Sequence, residues 1–175
     1  MRFPITCLIL ATTMIVAFII GLSRDPKNIP SNLINTLVPV FKLDVIGGNI
    51  PSFDKEDLLM DRDVKLVNVF ASWCPPCKIE HAQISKLSQE YNIYGINHKD
   101  DSEKLFQWLK ENGNPYRAIG ADYKGRASID WGVYGVPETF ILDKNSMIRY
   151  KHIGPIMKRD LENILSVIRL LKNEK

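Results

Sequence analysis

The stretch "VNVFASWCPPCKIEH", Val67 to His81, decides how the rest of this 175-residue chain is read. An apolar run leads into Cys74 and Cys77, two of only three cysteines, with two prolines between them. The wider segment "VKLVNVFAS" (64–72) is short, nearly continuous in apolar character and rich in valine, which is how a strand buried on both faces reads. Proline is well tolerated in a helix's first turn, where its missing N–H would have no partner. A helix is therefore predicted to start at the CPPC segment and run to about Tyr91. The dithiol then falls where a central strand ends and a helix begins, a common place for active sites in open α/β sheets.

At a helix N-terminus, Cys74 faces unsatisfied N–H groups and the positive end of the dipole, which favour the thiolate. Its pKa is expected below the roughly 8.5 of a free thiol. Cys77, one turn inside, is expected to be less exposed. Cys74 would form the mixed disulfide with a partner, and Cys77 would resolve it by attack on the Cys74 sulfur. Trp73 offers a flat apolar surface to an incoming chain, though half-buried packing explains it equally. Structural zinc usually needs four ligands. The third cysteine, Cys7, lies in an apolar segment; His81 lies four residues beyond Cys77, but His98 and His152 are scattered, so no metal site is expected. A structural disulfide closing so small a loop would restrain the unfolded chain little. The reading is redox chemistry with no cofactor beyond the Cys74–Cys77 pair.

Outward from this segment, "FPITCLILATTMIVAFIIGL" (3–22) carries no charge over twenty residues. Such a helix would span a hydrocarbon core of roughly 30 Å. A cleaved signal peptide would show a small-x-small site, and "AFIIGLSRD" offers no good one. Arg2 on one side against Arg24 and Lys27 on the other gives a weak preference for a cytoplasmic N-terminus. The expected organisation is an anchor over 1–22, a polar tether with Pro26 and Pro30 over 23–38, and a folded domain over 39–175. A net charge of +3 without a dense basic cluster gives no case for nucleic-acid binding.

In the domain, "VFKLDVIGGNIPSF" (40–53) predicts two short strands around a Gly47-Gly48 turn. "NIYGIN" (92–97) predicts a strand, and "DDSEKLFQWLKENG" (100–113) a helix with acidic residues at its start and glycine past its end. "ETFILD" and "MIRYKHI" predict a hairpin around "KNS". Leu161, Ile164, Leu165, Ile168 and Leu171 stand at helical spacing and predict a closing amphipathic helix. This order is that of an α/β sandwich with a mixed sheet. In "GVYGVPETF" (132–140), Pro137 can begin a strand because it need not donate to the ladder. Were the Val136–Pro137 bond cis, the Val136 backbone would be free to pair with an extended peptide.

Together, "VNVFASWCPPCKIEH", "GINHKDD" and "GVYGVPETFILD" resemble the membrane-anchored thioredoxin-like proteins of cytochrome c maturation, the CcmG/DsbE family. The resemblance covers roughly residues 39–171. It implies a thioredoxin-like fold with an added N-terminal β-hairpin, a periplasmic domain on an inner-membrane anchor, and a cis-proline at Pro137 facing the dithiol. It further implies that the protein reduces apocytochrome c thiols, directly or through a maturation partner, before haem attachment. An inner-membrane thiol-disulfide donor would re-reduce it. Cys74 is similar to the family's nucleophile, Cys77 to its resolving thiol, Glu138 to the acidic residue after the cis-proline, and Glu80 to an acidic residue on the active-site helix. Where thioredoxins often carry a buried aspartate, this chain has Asn68. Glu80 or Glu138 is then expected to accept the Cys77 proton, the alternative for Glu80 being a solvated helix face. His98 stands where the family more often has an aromatic residue. A peptide-holding module with incidental thiols and a thioredoxin-like peroxidase are the competing functions.

Overall fold

The computed structural model describes residues 3–22 and 32–174, with side chains in the first stretch described over 6–21. In chain order the elements are α1 (Phe3–Leu22), β1 (Asp44–Val45), α2 (Lys55–Met60), β2 (Lys65–Phe70), α3 (Pro75–Leu87), β3 (Ile93–His98), α4 (Ser102–Asn112), β4 (Ala118–Asp122), α5 (Arg126–Asp130), β5 (Glu138–Leu142), β6 (Ile148–Ile153) and α6 (Leu161–Asn173). They divide into two units, 1–30 and 31–175.

The first unit holds α1, twenty residues without a charge. Its threonine hydroxyls bond back to carbonyls one turn earlier, Thr12 to Leu8 and Thr13 to Ile9, each at 3.0 Å. Among the described side chains, which in this helix are those of residues 6–21, no helical stretch is long and apolar enough to cross a membrane.

The second unit is built on a six-stranded mixed sheet in the order β1-β4-β3-β2-β5-β6. β2 lies parallel to β3 and antiparallel to β5, β3 is parallel to β4, and β5 and β6 form the expected antiparallel hairpin. Every residue of β2 is buried. Successive side chains of a strand point to opposite faces, so Leu66 and Phe70 join one core while Val67 and Val69 join another. The first core receives Ile84 and Leu87 of α3, Leu105 and Leu109 of α4, and Ile164, Ile168 and Leu171 of α6. A thirteen-residue helix such as α6 is marginal alone in water; each of those three buried side chains contributes roughly 1.5–3 kcal/mol on burial, so packing holds the helix. The second core, on the other face, is filled by Leu58, Ala127, Trp131, Phe140 and Leu142. Lys65, the one charged residue in β2, is fully buried. Its ammonium donates to the carbonyls of Asp61, Asp63 and Asp143 at 2.6, 3.0 and 3.2 Å.

Three expectations are corrected. The N-terminal hairpin over 40–53 does not form. β1 pairs instead with β4, Asp44 opposite Ala121 and Val45 opposite Gly120. Beyond the Gly47-Gly48 turn, Pro51 has no N–H to give a ladder, and only its carbonyl is used, accepting from Ile119 N–H at 2.8 Å. The tether over 23–38 is shorter than expected. Residues 23–31 lie outside the described residues, but 33–38 belong to the folded unit. Asn35 N–H donates to the Ile148 carbonyl at 2.7 Å, Val38 N–H to that of Ser146 at 3.1 Å, and Val38 is sealed in the second core. The apolar residues Leu33, Ile34 and Val38, spaced through a polar segment, are what draws it in. The helix after the dithiol ends at Leu87 rather than about Tyr91, because Ser88 caps it and irregular turns follow.

β4, α2 and α5 are additional to the expected elements. α2 starts at a capping box in which the Asp54 and Asp57 side chains each accept the other residue's backbone N–H.

Gly95 in β3 faces the stacked rings of Phe70 and Tyr116, whose centroids are 4.5 Å apart. A Cβ there would stand 2.8 Å from Phe70 Cε1 and 3.0 Å from Tyr116 Cδ1. Gly95→Ala is expected to destabilise the fold by roughly 1–3 kcal/mol through overpacking, read as a lower urea midpoint at unchanged slope.

Candidate active site

Cys74 is the N-cap of α3, with Pro75 and Pro76 in the next two places. Neither proline has an N–H. Cys77 is thus the first residue of the helix with a donor to give, and its N–H points at the Cys74 sulfur at 3.3 Å. The helix's own ladder begins with Lys78 N–H to the Cys74 carbonyl. Cys74 and Cys77 are joined as a disulfide. The expected contrast in exposure is absent in this oxidised form: Cys74 is 2% and Cys77 1% exposed. Cys74 is roofed by the Val136 carbonyl, 3.5 Å from its sulfur. The Val136–Pro137 bond is cis. Trp73 is half exposed, and its indole N–H is tied inward to the Lys99 carbonyl at 3.0 Å, leaving the apolar ring at the surface.

Below the disulfide a polar cluster sits inside the first core. Glu80 lies three residues beyond Cys77 on α3, a spacing that puts two side chains on neighbouring ground of one helix face. It is 1% exposed, so it is not part of a solvated face. Its carboxyl accepts Asn68 Nδ2–H at 2.9 Å and Ile156 N–H at 2.9 Å. Asn68 gives its second amide hydrogen to Thr139 Oγ1 at 3.0 Å and accepts Tyr116 Oη–H at 2.8 Å. Both amide hydrogens and the carbonyl oxygen of Asn68 are therefore engaged. Burial pushes the Glu80 carboxyl up to about 7, against the two hydrogen bonds that favour its charged form. A group poised there can take or give a proton near neutral pH.

Glu138 does not join this cluster. It shares the strand face of Phe140 and Leu142, which belong to the second core, whereas Thr139 faces Glu80 through Asn68. Its carboxylate pairs with Lys151 Nζ at 2.9 Å, both groups almost fully buried, and accepts Tyr134 N–H at 3.0 Å. Lys151 also donates to the Gly132 carbonyl at 2.7 Å and lies 4.2 Å from the centre of the Tyr134 ring. The structure thus gathers Trp73, Cys74, Cys77 and Val136 with the cis Pro137, places Glu80 and Asn68 beneath them, and sets Glu138 on the opposite face of the sheet. Tyr116, Thr139 and Lys151 escaped the sequence reading. Only the strand register brings them in, and no local pattern announces them. His81 turns away from the cysteines, its Nε2 3.1 Å from the Asn112 carbonyl. Among the described residues no cluster of three or more His, Cys, Asp or Glu could hold a metal.

The family model described as Redoxin matches residues 34–168. A thiol:disulfide interchange protein DsbE of Escherichia coli strain K12 is 44% identical over 136 residues, covering 77% of this chain and 73% of its own. The protein of that name from Yersinia pestis is 42% identical over 158 residues, covering 87% and 84%. Among solved structures, a thioredoxin-family thiol:disulfide interchange protein from Chlorobium tepidum superposes with a TM-score of 0.58 at 25% identity, over 79% of this chain and 99% of its own.

Two outcomes are expected of the buried carboxyls. Glu80 holds its proton in the folded state to about pH 7 but in the unfolded chain only to about its ordinary 4.5. Its contribution to stability is fully present below pH 4.5 and is lost as the pH rises to about 7, a swing on the order of 3 kcal/mol. Glu80→Gln should abolish that slope when Tm is followed against pH. Lys151→Met strands the Glu138 charge in the core and should cost about 3–5 kcal/mol, with Glu138→Gln in the same background restoring part of the loss.

Proposed function

We propose a reductive role from one established premise: the chain belongs to the DsbE family of thiol:disulfide interchange proteins, within the Redoxin group, and is a thiol-disulfide oxidoreductase. The observation that carries the reading is the pairing of a capped, helix-terminal Cys74 with a buried carboxyl one turn beneath Cys77.

In the forward cycle the reduced protein presents Cys74 as thiolate, stabilised by the Cys77 N–H and the helix terminus. The thiolate attacks one sulfur of a partner's disulfide, forming a mixed disulfide and releasing one partner thiolate. Glu80 accepts the Cys77 proton. The Cys77 thiolate then attacks the Cys74 sulfur, which closes Cys74–Cys77 and releases the second partner thiolate. Two electrons pass to the partner, and the oxidised form is the one described above. Val136, next to the cis Pro137, offers its backbone to the partner's extended chain, and the Trp73 ring forms the other side of the approach. Asn68 and Thr139 hold Glu80 in place. No cofactor enters.

The partner is apocytochrome c, or a maturation protein that carries its electrons, acted on before haem attachment; an inner-membrane dithiol protein returns the electrons. The support is the family resemblance of "GINHKDD" and "GVYGVPETF" together with the uncharged twenty-residue α1. That helix serves as a single-pass inner-membrane anchor with the second unit in the periplasm, where a reductant has stray disulfides to act on.

The full chain carrying Cys77→Ala, reduced and mixed with an oxidised C-x-x-C-H peptide, is expected to accumulate a peptide adduct on Cys74 that dithiothreitol releases; Cys74→Ala should give none. A peptide held without any covalent adduct would replace the reading with a holding module. Carbonate-washed membranes should retain the full chain and lose a version lacking 1–22.

A further inference from the structure

Next to the residues that lead into the dithiol, a further buried carboxylate has no part in the cycle above. Asp100 is 8% exposed and lies in the turn between β3 and α4. Four donors surround it. Ser72 N–H and Asn97 Nδ2–H reach Oδ2 at 2.6 and 2.8 Å, while Ser72 Oγ–H and Asp101 N–H reach Oδ1 at 2.8 and 2.9 Å. A group that only accepts is a carboxylate, not a carboxylic acid. The neighbouring Lys99 adopts φ of 45°, in the left-handed region that side-chain-bearing residues seldom take. In that conformation its N–H bonds to the Asp122 carbonyl at 3.0 Å and its own carbonyl receives the Trp73 indole N–H at 3.0 Å. The turn at 97–101 therefore grips both residues that lead into Cys74.

We propose that Asp100 is a positioning residue for the dithiol, holding the Ser72–Trp73 approach in place and setting a fixed negative charge near Cys74 that opposes its thiolate. Oδ2 stands 2.6 Å from Ser72 N, and Ser72 is two residues from Cys74, at most about 7 Å between Cα atoms, so carboxylate and sulfur are no more than about 14 Å apart. At such a distance, repulsion between two like charges in a protein exceeds thermal energy. Lys78 and Lys104 line a groove of about 300 Å³ beside Ser72 and Trp73, but both are exposed and screened by water. The sealed charge of Asp100 is screened far less than either. Its effect runs against the helix terminus and shifts the couple toward the disulfide, which makes the reduced form the stronger electron donor. The inference rests on the exchange reading.

The test equilibrates the full chain in detergent with glutathione, Cys74–Cys77 disulfide plus two reduced glutathiones giving the dithiol plus oxidised glutathione. Asp100→Asn keeps the shape and removes the charge. Its equilibrium is expected to move about tenfold toward the dithiol, roughly 30 mV for a two-electron couple, and the alkylation rate of Cys74 should show ionisation at lower pH. Ser72→Ala keeps the charge but removes one of its donors, so it should move both readouts the opposite way. Should Asp100→Asn fail to fold, Ser72→Ala decides alone: a shift toward the disulfide supports the inference, and no shift or a shift toward the dithiol overturns it. Two folded variants that move in the same direction would mean a loosened loop and nothing more, which overturns it, as would an Asp100→Asn equilibrium within twofold of wild type. Inert sulfurs in the wild-type chain would overturn the exchange reading and this inference together, whereas a normal wild-type titration with unmoved variants overturns the inference alone.

Discussion

Because Pro75 and Pro76 bring no N–H to the start of α3, the N–H of Cys77 is left to meet the Cys74 sulfur. That contact depends on much of the rest of the molecule. The sulfur is in place only because β2 ends where α3 begins, and β2 is held at the centre of the sheet by strands on both sides. The helix it caps is anchored by Ile84 and Leu87 in the first core. The same apolar layer that fixes the helix also strips water from Glu80, so the fold that presents the sulfur raises the affinity of the carboxyl beneath it for protons.

The two glutamates near the site illustrate how one pleat separates two kinds of chemistry. Glu80 has two hydrogen-bond donors and no cation, and burial makes it hold a proton. Glu138 has a lysine at 2.9 Å and stays part of a sealed ion pair. Sequence order sets Glu138 and Thr139 side by side, yet they look into different cores. An acidic residue next to a cis-proline can thus be near a dithiol along the chain and still be separated from it by a sheet.

Much of this was readable from residues alone, for physical reasons. β2 and the β5–β6 hairpin announce themselves by apolar runs, α4 by the residues at its two ends and α6 by its apolar spacing. Cys74 and Cys77 are legible because two cysteines three apart around prolines fit few other purposes. β4 hides because "AIGAD" is short and interrupted by Gly120, which packs against Leu43. α5 hides because it is five residues long and follows Gly125 in the left-handed region without a side-chain cap. The burial of Glu80 was not readable, since helical spacing says which side chains are neighbours and not which face turns inward. The partners of Asn68 other than Glu80, which come from β5 and from the loop before β4, depend on register between strands far apart in sequence.

The way residues 35–38 join the sheet has a mechanical outcome. They bond to Ser146 and Ile148, where β6 begins, and that end of β6 lies level with Lys65, where β2 begins. Cys74 follows the other end of β2. Any pull arriving along the preceding chain is therefore borne at the opposite end of β2 from the sulfurs.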